Sequence, residues 1–122
     1  MSRKSYESYY VQAQRVRNLI CQEFAQIFSS SYDDGGVDVL LTPTAPTVAP
    51  LVEDAKRLSP VESYANDVFT VPASLAGLPA ISIPGGSDAQ GLPLGLQIIG
   101  PRGGEEVVLT VAQGLEDVAS KQ

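Results

Sequence analysis

The sequence predicts an α/β fold with the element order α-β-α-β-β-α, in which helices cover a small mixed sheet. Three observations carry that prediction. Apolar side chains recur at steps of three or four in residues 5–30 and again in 105–118, the period of a helix with one buried face. Short apolar runs rich in branched residues occupy 37–41, 80–83 and 94–99, bounded by Gly and Pro as strands are. Between the first two runs, Ser59-Pro60-Val61-Glu62 has the composition of a helix start.

In the first helix Tyr6, Tyr10, Ala13, Val16, Ile20, Phe24 and Ile27 form the apolar stripe, and Gln12, Gln14, Arg15, Asn18 and Gln22 occupy much of the other face. Residues 29–36, Ser-Ser-Ser-Tyr-Asp-Asp-Gly-Gly, are a stop and a turn. The strand at 37–41 should stop pairing at Thr42-Pro43-Thr44-Ala45-Pro46, because proline has no N–H for a ladder. Residues 47–58 read as a loop with a turn of helix. In the next helix Ser59 is the N-cap, Pro60 takes the first helical position and Glu62 closes a capping box. That helix runs through Tyr64, Val68 and Phe69 until Pro72 interrupts it with a kink or the start of a second helix, since proline lacks the donor and its ring clashes with the preceding turn. Gly77 suits a left-handed C-cap, and Pro79 prevents resumption. The turn-rich stretch 84–93 joins the last two strands as an antiparallel hairpin, with Gly85-Gly86-Ser87 read as turn. Glu105 and Glu106 favour the first turn of the last helix, whose apolar face is Val108, Val111, Ala112, Leu115 and Val118.

The 122 residues fit one domain, and 43% apolar content is enough for a core. The net charge is −6, from 14 acids and 8 bases. Phosphate neutralisation needs clustered Lys and Arg, and the bases form only the scattered pairs Arg3/Lys4, Arg15/Arg17 and Lys56/Arg57, so the chain offers no track for nucleic acid. With one cysteine, Cys21, no internal disulfide is possible. With no histidine, Ser-His-Asp and Cys-His catalysis and His-based metal sites are excluded. The N-terminus has charge but no apolar stretch behind it, so it does not read as a secretory signal.

Asp67 is the carboxylate of most interest. It follows Tyr64 by three positions and adjoins Val68 and Phe69, so it is expected to be partly buried and to need a partner. Ser87 has no lysine or second serine at a recognisable spacing, and Cys21 has no base nearby, so neither reads as a nucleophile.

The segments Tyr64-Ala65-Asn66-Asp67-Val68-Phe69-Thr70, Leu75-Ala76-Gly77-Leu78-Pro79-Ala80-Ile81-Ser82-Ile83-Pro84-Gly85 and Gly91-Leu92-Pro93-Leu94-Gly95-Leu96-Gln97-Ile98-Ile99-Gly100 resemble, in order and spacing, the C-terminal signature of the amidase-signature family. The branch they resemble most is that of the A subunits of aminoacyl-tRNA amidotransferases. The resemblance implies a partial amidase-signature fold, with residues 1–122 as the C-terminal segment of that domain. It implies a parent glutaminase that releases ammonia from glutamine to amidate misacylated Glu-tRNA(Gln). It implies B-type and C-type partner subunits, with tRNA, ATP and magnesium held by a partner and no cofactor on this chain. The resemblance assigns to Asp67 the binding of the free amino group of glutamine. The family's serine nucleophile, second serine, neutral lysine base and carboxylate-binding arginine are expected upstream. The lysines here, Lys4, Lys56 and Lys121, lie outside the family's lysine context. The isolated chain is therefore expected to be inactive, and a mitochondrial site is implied for a eukaryotic source, a cytoplasmic one otherwise. Two alternatives stand beside this: a segment of a general amide hydrolase of the same family, and a non-catalytic chain with a structural or binding role.

Overall fold

The computed structural model describes residues 3–29 and 36–119. In chain order its elements are α1 (Arg3–Ser29), β1 (Leu40–Pro43), α2 (Val52–Ala55), α3 (Pro60–Ala65), α4 (Val71–Ala76), β2 (Ala80–Ser87), β3 (Pro93–Ile99) and α5 (Glu105–Ala119). The fold is α/β, and the interruption expected at Pro72 is a second helix, with Pro72 in the first turn of α4, although α3 ends at Ala65, short of the expected Phe69. The turn of helix expected in 47–58 is α2. The stop and turn expected at 29–36 falls largely on residues outside the described ones, as do Lys121 and the side chains of Lys4 and Tyr6.

The sheet has the order β1-β3-β2. Both pairings are antiparallel, which corrects the expectation of a mixed sheet. The reason is topological. A short hairpin forces β2 and β3 antiparallel. β1 runs in the same direction as β2 but on the far side of β3, so no parallel pair forms.

β1 lies further along the chain than expected and runs through Pro43, which stands opposite Leu96. The Thr44 amide donates to the Gly95 carbonyl at 2.9 Å. By alternation the nitrogen of Pro43 faces away from β3, toward the open edge, where the missing donor costs nothing. Gly85-Gly86-Ser87 is likewise not the turn. It is the end of β2, with a register irregularity between Pro84 and Ser87. The turn is one step later, where the Asp88 carboxylate accepts from the amides of Gln90 at 2.9 Å and Leu92 at 2.8 Å. Gly91 there has φ 82°, a left-handed conformation that glycine adopts without strain.

The register gives the sheet two unlike faces. Ile81, Ile83, Leu96 and Ile98 face α5, where Ile83, Ile98, Val108 and Ala112 form the core and Val111 and Leu115 pack against it. Val118, expected on the same stripe, is exposed. The other face carries Thr42 and Ser82, both opposite Gln97. α1 packs against α4, fastened by the Arg17 Nε that donates to the Leu75 carbonyl at 2.7 Å. Its stripe is covered only in part. Ile20, Phe24 and Phe28 are half-buried, whereas Tyr10, Val16 and Ile27 are exposed. Among the described residues, no helix is long and apolar enough to cross a membrane.

Candidate functional site

The polar face of the sheet and the segment that joins α3 to α4 form one continuous region. Its construction begins at Ser59, whose Oγ accepts from the Glu62 amide at 3.3 Å while the Ser59 amide donates to Glu62 Oε2 at 2.8 Å. This is the capping box expected from the sequence, and it fixes the start of α3. Hydrogen bonds from the Ser59 side chain and then from its backbone hold the Glu62 carboxyl below its ordinary pKa range.

α3 ends at Ala65, so Asp67 sits in the turns that follow rather than on a helix. Its side chain is exposed, which corrects the expectation of partial burial. α3 itself buries no residue, and the apolar neighbours Val61, Tyr64 and Val68 are exposed as well, so nothing among the described residues covers the carboxylate. Among the described residues the carboxylate has no hydrogen-bond or ion-pair partner. The backbone around it is well tied. The Asp67 carbonyl accepts from the amides of Thr70 at 3.1 Å and Val71 at 3.0 Å, and from Thr70 Oγ1 at 3.3 Å. Asp67 lines an apolar concavity of about 520 Å³ with Val61, Tyr64, Val68, Val71 and Pro72. Its neighbour Asn66 lines a second one, of about 420 Å³, with Thr44, Ala45, Thr47 and Gly95. The Thr42-Pro43-Thr44-Ala45-Pro46 stretch therefore borders the same region as the Asp67 turn.

Three features of this region escape a reading of the sequence. Thr44 Oγ1 and Ser82 Oγ are 2.6 Å apart, joining the loop after β1 to β2 across Gly95. Gly95 leaves the space for them, since a Cβ there would stand 2.7 Å from Thr44 Oγ1. The third is Gln97, 4% exposed and, among the described residues, the only buried polar side chain. Its Nε2 donates to Thr42 Oγ1 at 3.0 Å and to the Phe69 carbonyl at 2.9 Å. The signal for Gln97 is in the sequence. A single amide inside the apolar run 94–99 must find partners once buried.

The remaining reactive side chains lie elsewhere. Ser87 is exposed at the end of β2. Cys21 Sγ is 4.0 Å from the Leu75 carbonyl and lines a separate concavity of about 510 Å³ with Phe28, Leu78 and Arg102. Lys56 is paired with Glu53 at 3.1 Å on the surface of α2. Among the described residues no group of three or more Cys, Asp or Glu could hold a metal ion. The arrangement offers an exposed carboxylate on an apolar rim, and a buried amide ties the turn that follows it to the sheet. It suits the binding of a cationic group and not, by itself, bond cleavage.

A sequence model of the amidase family matches residues 1–109. The chain is 50% identical over 115 residues to the A subunit of glutamyl-tRNA(Gln) amidotransferase from Gluconobacter oxydans, covering 94% of this chain and 22% of that protein. The crystal structure of the A subunit of glutamyl-tRNA(Gln) amidotransferase from Thermotoga maritima superposes with a TM-score of 0.73 at 39% identity, over 86% of this chain and 21% of that one. The allophanate hydrolase of Kluyveromyces lactis superposes with a TM-score of 0.69 at 26% identity, over 84% of this chain and 16% of that one. The chain spans about a fifth of the length of the two amidotransferase subunits.

Proposed function

The chain belongs to the amidase family, and from that premise we propose that it forms the C-terminal part of the A subunit of a glutamyl-tRNA(Gln) amidotransferase. The observation that carries this reading is identity near one half along almost the whole chain to a protein of that name. The parent enzyme would hydrolyse glutamine to glutamate and ammonia through an acyl-serine, and the ammonia would amidate Glu-tRNA(Gln) on a partner subunit. B-type and C-type subunits are the proposed partners, with ATP, magnesium and tRNA on the partner side. The named amidotransferase relatives come from bacteria, which favours a cytoplasmic over a mitochondrial site.

In this reading Asp67 receives the α-ammonium group of glutamine. The chemistry suits the task. An ionised carboxylate and an ammonium form a charge-assisted hydrogen bond, stronger than a neutral one. The apolar side chains of Val61, Tyr64 and Val68 around it limit competing water once the site is covered. The nucleophile, its second serine and the lysine base belong to the rest of the parent enzyme. This chain would contribute substrate orientation and part of the sheet.

The test is glutaminase activity of the purified chain, alone and mixed with the preceding portion of a related A subunit. The expected result is silence alone and turnover on mixing. Turnover by the chain alone that is lost in Asp67→Ala would overturn the reading. The likeness to allophanate hydrolase supports a second reading, a general amide hydrolase. The two separate by substrate, because a general hydrolase would not prefer glutamine to an amide that lacks the α-amino group.

A further inference from the structure

We propose that Gln97 is a positioning residue, whose buried amide sets where the Asp67 carboxylate stands. The proposal rests on the reading of Asp67 as the ammonium-binding group. Phe69, whose carbonyl accepts from Gln97 Nε2 at 2.9 Å, lies two residues beyond Asp67. The Asp67 carbonyl is tied to the amides of Thr70 and Val71. Residues 67–71 therefore move as one short body, and the Gln97 amide fastens that body to the sheet. The same nitrogen reaches Thr42 Oγ1 at 3.0 Å, so β1, β3 and the Asp67 turn meet on one side chain.

The chemistry needs an amide. The two protons of a side-chain NH2 group point in fixed, divergent directions and supply both acceptors at once. A carboxylate at this position has no proton to give and would set negative charge against the Phe69 carbonyl. A methionine fills similar space but leaves that carbonyl and the Thr42 hydroxyl without their donor, and the turn is then free to drift. A misplacement of about 1 Å in a binding group lowers rates by as much as roughly 100-fold.

The experiment uses the full-length A subunit of Gluconobacter oxydans carrying residues 1–122 in place of its matching segment, assembled with its partner subunits. Gln97→Met, Asp67→Asn and the double variant are compared on glutamine and on glutaramate, the same amide without the α-amino group. For Gln97→Met the expected result is a rise of roughly 10-fold or more in KM for glutamine, a kcat within about twofold, and no change on glutaramate. The double variant is expected to be no worse than Asp67→Asn. Gln97→Asn keeps a buried amide but draws it back by one methylene. It must show the same split, and it serves should the methionine variant fold poorly. Equal losses on both substrates, or a double variant that multiplies the two losses, would reduce Gln97 to a structural residue and leave the Asp67 reading intact. An Asp67→Asn enzyme with unchanged KM for glutamine would remove the Asp67 reading itself.

Discussion

Gly95→Ala tests the packing that joins the loop after β1 to the sheet. The new methyl carbon would stand 2.7 Å from Thr44 Oγ1, 2.9 Å from Thr44 Cβ and 3.1 Å from Ser82 Oγ. Thr44 has little room to retreat, because its amide is bonded to the Gly95 carbonyl at 2.9 Å. Overpacking of this kind costs about 1–3 kcal/mol. Opening the 2.6 Å hydroxyl pair adds about 0.5–1.5 kcal/mol, toward the lower end because Ser82 is exposed and can turn to water. The working figure is about 2 kcal/mol. The assay is urea unfolding of the 122-residue chain, followed by far-ultraviolet circular dichroism at low concentration. A lower midpoint with an unchanged slope reports stability alone. Thr44→Gly removes both atoms that the new carbon meets most closely. In that background the cost of Gly95→Ala should fall by at least about 1 kcal/mol, well beyond the additivity error for independent sites. The same cost in both backgrounds, or none in either, would refute the reasoning.

Gly114→Ala is the converse case. It lies in α5 with nothing within 4 Å of the added carbon, so it should stabilise the chain by about 0.5–1 kcal/mol in the same assay. Ile98→Ala removes a side chain that is 0% exposed at the centre of the core, and should cost about 2–5 kcal/mol by calorimetry or urea unfolding. The depressed pKa of Glu62 links the capping box to pH. Its stabilisation is fully present above the unfolded glutamate value and is lost as pH falls through the lower, folded one. Unfolding midpoints measured from neutral pH downward should therefore fall less steeply in acid for Glu62→Gln, which keeps an acceptor without the proton; parallel curves would remove the link.

How much of this is legible in the sequence depends on whether the signal is local. The capping box of α3, the break at Pro72, the left-handed Gly77 with φ 68° and the hairpin are each set by residues within a few positions of one another, and each reads correctly. The errors concern partners distant in sequence. Pro43 is acceptable in β1 only because β1 is an edge, which is a property of strand order. Gly85-Gly86-Ser87 has turn composition, yet the Asp88 side chain captures the turn one step later. The stripe of α1 is a correct helical period, but its length exceeds what the short α4 can cover. Asp67 stands out by resemblance and not by burial, since α3 buries none of its residues and, among the described residues, no distant element covers the turn that follows it.

The two faces of the sheet explain why so small a core accompanies so much exposed apolar surface. One face packs on α5 and is apolar throughout. The other carries Thr42, Ser82 and Gln97 in register beside the apolar row Leu40, Ile99 and Ala80, so a polar strip that can floor a site adjoins the buried Ile99. Beside it Val61 and Tyr64 are each 77% exposed and Val68 is 54% exposed, and clustered apolar exposure of this kind marks an interaction surface. On the proposed reading these residues are the rim on which the rest of the parent enzyme closes. Closure has an electrostatic consequence. The attraction between a carboxylate and an ammonium grows as water is displaced, from about 1 kcal/mol at 4 Å in bulk water to about 4 kcal/mol at the effective dielectric near a protein surface. Asp67 would thus be a weak ligand for an ammonium group on the open chain and a selective one in the assembled enzyme. A titration of glutamine into the isolated chain should accordingly show no saturable binding in the millimolar range. Tight binding there would mean that the site is complete without its cover.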